Sequence, residues 1–532
     1  MNFSLLSRYS FFASCVLFTL ISLAFMDHHW MWPLTLIGAA LSAVGIVDLL
    51  QTRQAVRRNY PILGNIRYLV ETIRPEIRQY LLEADNDQLP FSRSQRSLVY
   101  ARAKNQGADK PFGTLLDVYE TGFEFISHSM RPAPLVDPNN FRIDIGGPQC
   151  TQPYSASLLN ISAMSFGSLS ANAIRALNKG AKLGNFAHDT GEGSISAYHR
   201  VHDGDLIWEL GSGYFGCRSS DGQFDPERFA AQATSPQVRM IEIKLSQGAK
   251  PGKGGILPAA KVTQEIADIR GIPAGQASIS PNGQPDVHSA EDLLDLIAHV
   301  REVSGKPTGI KCVLGAWAWV EDLFLAIHAR GLESAPDFIT IDSGDGGTGA
   351  APMSLMDDVG LYLAESLPLL VDLRDGYGLT DRIRIIASGK LITPSMVAWA
   401  IAVGADFCVS ARGYMFALGC IQALQCNRNT CPTGVTTHNP RLQRGLVPAE
   451  KSQRVAHFHN NLVKEVETIA HSCGVTEPRQ LRRYHARMLS SNGESIPLDR
   501  LWPQVEAGLY LREGRPSEKQ PFIRWQGIGT GP

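Results

Sequence analysis

The first fifty residues are apolar almost without interruption. Residues 9–26 (YSFFASCVLFTLISLAFM) carry no charge, and residues 31–50 (MWPLTLIGAALSAVGIVDLL) carry only Asp48. Each run approaches the ~20 apolar residues that cross a hydrocarbon core. A signal peptide would have a shorter apolar region with no second run behind it. The pattern therefore predicts a hairpin of two transmembrane helices within residues 1–52. Arg8 precedes the first run, Arg53, Arg57 and Arg58 follow the second, and the DHHW turn (27–30) has neither Lys nor Arg. Cationic residues collect on the cytoplasmic side. A two-span membrane protein with a cytoplasmic catalytic domain is expected, with Trp30 and Trp32 at the far interface.

Residues 53 to about 140 are charged, with apolar positions at mixed three- and four-residue spacing, as in GNIRYLVETIRPEIRQYLLEADN, interrupted at Pro75. This predicts a helical packing or linker segment over 53–149. From about 150 the texture changes to short apolar runs between helical stretches: 157–166, 184–190, 238–246, 275–280, 307–314, 337–343, 382–389 and 405–411. Such alternation predicts an α/β fold, a TIM (β/α)8 barrel over 150–445. An open doubly wound sheet alternates too. Glycine-rich polar loops after nearly every run favour the barrel, whose active site lies at the C-terminal strand ends. Residues 446–532 include EKSQRVAHFHNNLVKEVETIAHSCGV and read as a helical extension.

Composition narrows the function. Lys plus Arg number 50 against 51 Asp plus Glu, so nothing points to bulk nucleic-acid binding. Nine cysteines in 532 residues make no disulfide framework. Six are scattered (Cys15, Cys150, Cys217, Cys312, Cys408, Cys473), and three cluster in CIQALQCNRNTCPTG (420–434). The loops DSGDGGTGA (342–350), ASGKL (387–391) and SARGYM (410–415) follow the sixth, seventh and eighth runs. Their glycines let backbone N–H groups approach an anion, and late phosphate sites recur in this fold. A phosphorylated cofactor is expected there, beside Gly346, Gly347, Gly349, Gly389, Lys390, Ala411 and Arg412. GSGYFG (211–216) fits a dinucleotide fingerprint, but DLIWEL before it reads as a poor strand and CRSSDGQFDP after it as no helix. Electrons should come from elsewhere.

Three thiolates at C-x5-C-x4-C, with Pro432 behind the last, suit a 3Fe-4S cluster, a cubane missing one iron, held by Cys420, Cys426 and Cys431. Zinc with His438 as fourth ligand is one alternative, and three inert thiols another, poorly matched to so polar a loop. The stretch ALGCIQALQCNRNTCPTGV resembles the cluster loop of the glutamate synthases, FMN-dependent enzymes with a 3Fe-4S cluster. Five further segments match the same synthase domain in order, across about 150 to 445. They are SAMSFGSLS (162–170), TGEGS (190–194), EIKLSQGAKPGKGG (242–255), IKC (310–312) and GDGGTGA (344–350).

The resemblance implies FMN above the strand ends, with the cluster beside it as a relay. It implies reductive amination of 2-oxoglutarate, through 2-iminoglutarate, to L-glutamate. Ammonia would come from solution or a partner, and electrons from an external donor protein. Lys244, Lys250 and Arg270 would bind the substrate carboxylates, and Glu192 would hold ammonium or move protons. The backbone of Ala163, Met164 and Ser165 would approach the flavin, and Lys311 would face its N1–O2 edge. His188 and His202 read as incidental. The large enzymes' glutaminase domain and C-terminal β-helix have no counterpart here. Ile256 stands where the family commonly has Gln, Lys253 where it has Glu, and ISPNGQPDVHS (279–289) is less histidine-rich. Two alternatives follow: the same cofactors acting on a different 2-oxo acid or amine donor, and a membrane-tethered electron-transfer flavoprotein.

Overall fold

A computed structural model describes residues 3–84, 90–107 and 109–519. The chain divides into two compact units, Met1–Asp87 and Gln88–Pro532.

In the first unit, helices Phe3–Ala24 and Met31–Leu50 pack antiparallel. A Cβ on Gly45 would stand 2.2 Å from the Phe12 ring, and one on Gly38 would stand 2.7 Å from Thr19 Oγ1. Glycine at these positions lets the helices approach, as small residues do between membrane helices. Met31–Leu50 is long and apolar enough to cross a membrane, whereas the apolar part of its partner, Arg8–Ala24, is shorter. Asp48, the lone charge of the second run, is buried and accepts from the Ile62 N–H at 3.0 Å, with Arg57 at 3.7 Å. Helix Gly64–Ile77 runs through Pro75 rather than breaking there.

The second unit contains a closed parallel barrel. Its strands are β1 (Leu159–Ile161), β2 (His188–Asp189), β3 (Leu206–Leu210), β4 (Val238–Lys244), β5 (Thr308–Cys312), β6 (Phe338–Asp342), β7 (Arg384–Ser388) and β8 (Phe407–Ser410). One expected strand is misplaced. The run at 275–280 contributes only Ser278–Ile279, which pairs antiparallel with Ile256–Leu257 outside the barrel. The true third strand is LIWEL, the stretch read as a poor strand, so Lys244 ends the fourth strand and not the third.

Side chains alternate along each strand, and the two faces separate cleanly. Leu206, Trp208, Ile241, Ile243, Ile339, Ile341 and Ile385 join the main core. The opposite set, Ile207, Met240, Phe338, Ile386 and Phe407, forms its own apolar cluster with Ile145, Tyr154 and Ala156. Those last three belong to an antiparallel hairpin, Arg142–Ile145 with Tyr154–Ser157, which closes the barrel's N-terminal end. Two residues further along the strands, the same inward face changes character. It carries Glu209 after Ile207, Glu242 and Lys244 after Met240, and Thr340 after Phe338. An apolar plug therefore lies beneath a charged layer.

The flanking segments are less helical than expected. Beyond helix Arg93–Ala103, the described residues up to 149 hold only short strands and a 3-10 turn. Pro111, Pro132, Pro134 and Pro138 disfavour helix at the residues before them. Past the barrel, helix Pro448–Ser472 packs on helix Ala171–Gly184, where a Cβ on Gly180 would stand 2.4 Å from Val455. The remainder is not purely helical. Ala486–Leu489 forms a small antiparallel sheet with Glu124–Ile126 and Ser495–Pro497. Residues 520–532 of the expected extension lie outside the described residues.

Candidate active site

The charged layer rises to the C-terminal mouth of the barrel. Lys311 on β5 has Nζ 2.7 Å from Glu209 Oε2 and 3.7 Å from Glu242 Oε1. Lys244, its register partner on β4, lies 2.9 Å from Glu192 Oε2 and 3.9 Å from Glu209 Oε1, and also donates to Gln247. Glu209 thus stands between the two lysines. Asp189 completes a buried carboxylate group, the oxygens of Asp189, Glu209 and Glu242 falling within 4.8 Å of one another. Burial pushes Asp189 well above the usual carboxylate range and Glu242 up to about 7. Burial works against the Lys311 ammonium, but Glu209 and Glu242 outweigh it and raise its pKa well above the ordinary lysine value.

Glu192 follows β2 in a glycine-rich loop. A Cβ on Gly255 would stand 1.8 Å from Glu192 Oε1, and one on Gly211 would stand 2.7 Å from Glu192 Cβ. These two glycines make room for the carboxylate and fix its direction. Burial raises its pKa, yet Lys244 and Lys250 outweigh burial and hold it at about 2. Lys250 is 2% exposed, and its ammonium has no hydrogen bond or ion pair among the described residues. Burial, reinforced by Lys244, lowers its pKa to about 8. A buried ammonium left unpaired costs several kcal/mol unless an anion reaches it.

Arg270, 4% exposed, is held differently. Its Nη1 donates to Ser278 Oγ at 3.3 Å, and Nη2 donates to Ser165 Oγ and the Phe166 carbonyl, both at 3.3 Å. It therefore anchors the loop after β1. That loop packs against the Glu192 loop, since a Cβ on Gly191 would stand 2.6 Å from Ser165 N. Ala163, Met164 and Ser165 are in this way brought beside Glu192. His188 on β2 is buried with both ring nitrogens unpartnered, and burial lowers its pKa to about 3. Lys253 is exposed and Ile256 half-buried.

On the opposite side of the mouth the glycine loops converge. Gly248 N–H and Ser388 Oγ donate to the two oxygens of Asp342, at 2.8 and 2.9 Å. Lys390 pairs with Asp345 at 2.7 Å. Arg412 has no hydrogen bond or ion pair among the described residues. Its guanidinium lies 4.7 Å from the centroid of the Phe91 ring, and a Cβ on Gly347 would stand 3.1 Å from it. Gly346 and Gly389 both approach Ser343, where a Cβ would stand 2.9 and 2.5 Å away. Gly349 lies beside Ser168. An unpaired arginine over bare glycine backbone fits an anionic phosphate, and Ala411 begins the helical turn that carries it.

Cys420, Cys426 and Cys431 line one small cavity, together with Ile421, Leu424 and Val435. Burial pushes the Cys420 thiol up to about 12, whereas hydrogen bonds from Thr433 and Thr436 overcome burial at Cys431 and lower it. The sulfurs do not all close to within 4.8 Å of one another. His438 Nε2 donates to the Gly167 carbonyl at 2.8 Å. Lys261, buried, bonds the Ser168 carbonyl at 2.5 Å and the Cys426 carbonyl at 3.2 Å, and so ties the cysteine loop to the loop after β1. Tyr100 OH donates to the Cys420 carbonyl at 2.6 Å. Helix Arg93–Ala103, part of the segment expected to serve packing or linking, therefore buttresses this loop.

Residues 146–476 match the family model described as a conserved region in glutamate synthase. The chain belongs to the glutamate synthase family. It is similar to the glutamate synthase large subunit-like protein YerD of Bacillus subtilis (strain 168), 37% identical over 496 residues, covering 86% of this chain and 94% of that protein. An archaeal-type glutamate synthase (NADPH) of Thermotoga maritima is 33% identical over 322 residues, 60% of each chain. The archaeal glutamate synthase (NADPH) of Methanocaldococcus jannaschii is 32% identical over 339 residues, 62% of this chain and 61% of that one. This glutamate synthase barrel is thus an oxidoreductase, and its mouth holds residues that the motifs did not single out. Glu209, Asp189 and Lys261 are among them, as is Gln284, whose Nε2 donates to the Leu210 and Lys244 carbonyls at 3.1 and 3.0 Å. One signal was available for Glu242, which lies two residues before Lys244 and so on the same strand face.

Proposed function

We propose that the chain is an FMN- and 3Fe-4S-dependent glutamate synthase-like enzyme that converts 2-oxoglutarate and ammonia to L-glutamate, using electrons from an external donor protein. The observation that carries this reading is Lys250, a buried, unpaired ammonium beside the Lys244–Glu192 pair. Such a cation awaits an anionic substrate group, and a 2-oxo dicarboxylate supplies one. Glu192, ionised at neutral pH, suits capture of ammonium and transfer of its proton as the carbonyl oxygen leaves as water. Lys244 and Lys250 would hold the substrate carboxylates over the mouth. Arg412, Lys390 and the glycines at 346, 347 and 389 would hold the flavin phosphate, and the three cysteines the cluster. When bound, the flavin would supply hydride for the imine carbon and the cluster would supply single electrons. Lys311 would place positive charge beneath the flavin, where negative charge develops on reduction.

The two N-terminal helices would anchor the enzyme in a membrane with the barrel on the cytoplasmic side. Met31–Leu50 has the required length and apolarity, and the arginines flank the pair. A second reading keeps the cofactors and changes the oxo acid, supported by Ile256, an aliphatic residue in a segment where the family commonly has an amide.

Anaerobic flavin reoxidation tests the first reading on detergent-solubilised full-length protein. The flavin is reduced with dithionite, freed of excess reductant, then mixed with 2-oxoglutarate and ammonium. Rapid reoxidation with glutamate in the quench is expected. A flavin that stays reduced with these substrates and reoxidises with another oxo acid would transfer the assignment to the second reading.

A further inference from the structure

Beside the lysine cluster, a cavity of about 300 Å³ opens between the loops after β2 and β3 and the end of helix Gln264–Arg270. Its lining includes Ser194, Arg218, Arg228, Asp268 and Arg270, together with Ile195 and Ile269. Glu192, Lys244 and Lys250 take no part in its wall. Three buried polar atoms of the lining lack a partner: Ser194 Oγ, Arg218 Nε and Arg270 Nε. Ser194 is 1% exposed and Arg270 4%, so neither is served by bulk water. Each unsatisfied group of this kind carries a desolvation cost.

The charges point the same way. Arg218 and Arg270 form no ion pair among the described residues. Both guanidinium groups face one ring, 5.8 and 5.0 Å from the Phe215 centroid. Asp268, the one acid of the lining, accepts from Gln264 at 2.8 Å, and Arg228 pairs with Asp225 at 3.2 Å. The lining therefore carries three arginines against one aspartate, with a serine hydroxyl and two isoleucines.

We propose that this cavity binds a small aliphatic carboxylate at a site separate from the catalytic mouth. Arg218 is its main cation, and Ser194 Oγ and Arg270 Nε are its inner donors. A guanidinium fork matches carboxylate geometry, and the two isoleucines would cover the ligand's carbon chain. The occupant acts as an effector rather than a reactant, because Arg270 is the shared wall. Arg270 lines the cavity and its buried Nε lacks a partner, while Nη2 holds Ser165 and Phe166 at the mouth. The proposal stands on the cavity alone and does not depend on which oxo acid the mouth accepts.

Equilibrium dialysis with radiolabelled succinate tests it without turnover, so the result is independent of the flavin experiment. Full-length protein carrying Lys250→Gln removes the unpaired lysine of the mouth. That variant is expected to retain one bound succinate. Adding Arg218→Ala should weaken binding by about tenfold or more, and Arg218→Lys by less. Ser194→Ala in the same background should weaken binding too, which covers the case of an Arg218→Ala protein that does not fold. No succinate bound by Lys250→Gln protein, or binding indifferent to residues 218 and 194, would overturn the proposal. Inorganic phosphate displacing succinate at equal concentration would overturn the carboxylate assignment.

Discussion

Glu209 Oε2 lies 2.7 Å from Lys311 Nζ, while its other oxygen faces Lys244 at 3.9 Å. One carboxylate on β3 thereby links the lysine within β5 to the lysine that ends β4. All three side chains are buried. Removing one member of a buried pair leaves an uncompensated charge, at a cost of about 3 kcal/mol or more. Glu209→Gln is expected to lower barrel stability by that order in a denaturant titration and to depress turnover by releasing Lys244. An unchanged unfolding midpoint would show that the link contributes little.

Glu242 predicts a pH dependence of definite sign. Its carboxyl titrates near 7 in the fold against an ordinary value of 4.5, chiefly through burial. Between those values the native state holds a proton that the unfolded chain releases, so this group's contribution to stability declines as pH rises from 4.5 to 7. Glu242→Gln should flatten that decline. Glu192, held at about 2, has the opposite sign, and its contribution is lost as pH falls from 4.5 toward 2. Unfolding midpoints of wild type and both glutamine variants across the two windows would separate the effects.

Lys250→Gln should divide binding from folding. The ammonium has no direct hydrogen bond or ion pair to lose, and its loss at Glu192 is offset by relief of its own burial, so the melting temperature should change little. Oxo-acid binding should weaken by about 2 kcal/mol or more, as expected when a charge is deleted from a carboxylate clamp. Single-turnover flavin reoxidation against oxo-acid concentration measures this directly. A variant that saturates at the wild-type concentration would remove Lys250 from the substrate site.

The cysteine loop is tested by iron analysis. Cys420→Ser, Cys426→Ser and Cys431→Ser should each lose cluster iron and its visible absorption. Cys312→Ser, at a buried thiol outside the loop, should keep both. Equal iron in all four variants would exclude the three-cysteine site.

Membrane attachment is checked on the full chain by alkaline carbonate extraction. The protein should stay in the membrane pellet, and release into the wash would show that the N-terminal helices do not anchor it.

Most of the barrel was legible because its strands are short apolar runs separated by glycine-rich loops. LIWEL was the exception. Glu209 puts an acid in a fully buried strand, and its compensation comes from Lys311 on another strand, which no local pattern records. The run at 275–280 failed for the converse reason: it has strand-like texture, but Ser278–Ile279 finds its partner in Ile256–Leu257. The candidate residues Glu192, Lys244 and Lys250 stood in contiguous motifs, and the structure brings Glu192 and Lys244 together. The cavity of Arg218, Ser194 and Arg270 was not, because three distant segments assemble it.

Lys261 reaches two loops through main-chain oxygens alone, at Ser168 and Cys426. Neither acceptor depends on the side chain above it. Substitutions at position 168 can therefore accumulate without breaking the tie, and only a change at 261 itself removes both bonds. Across related chains, the lysine should prove less free to drift than the residue at 168 that it holds.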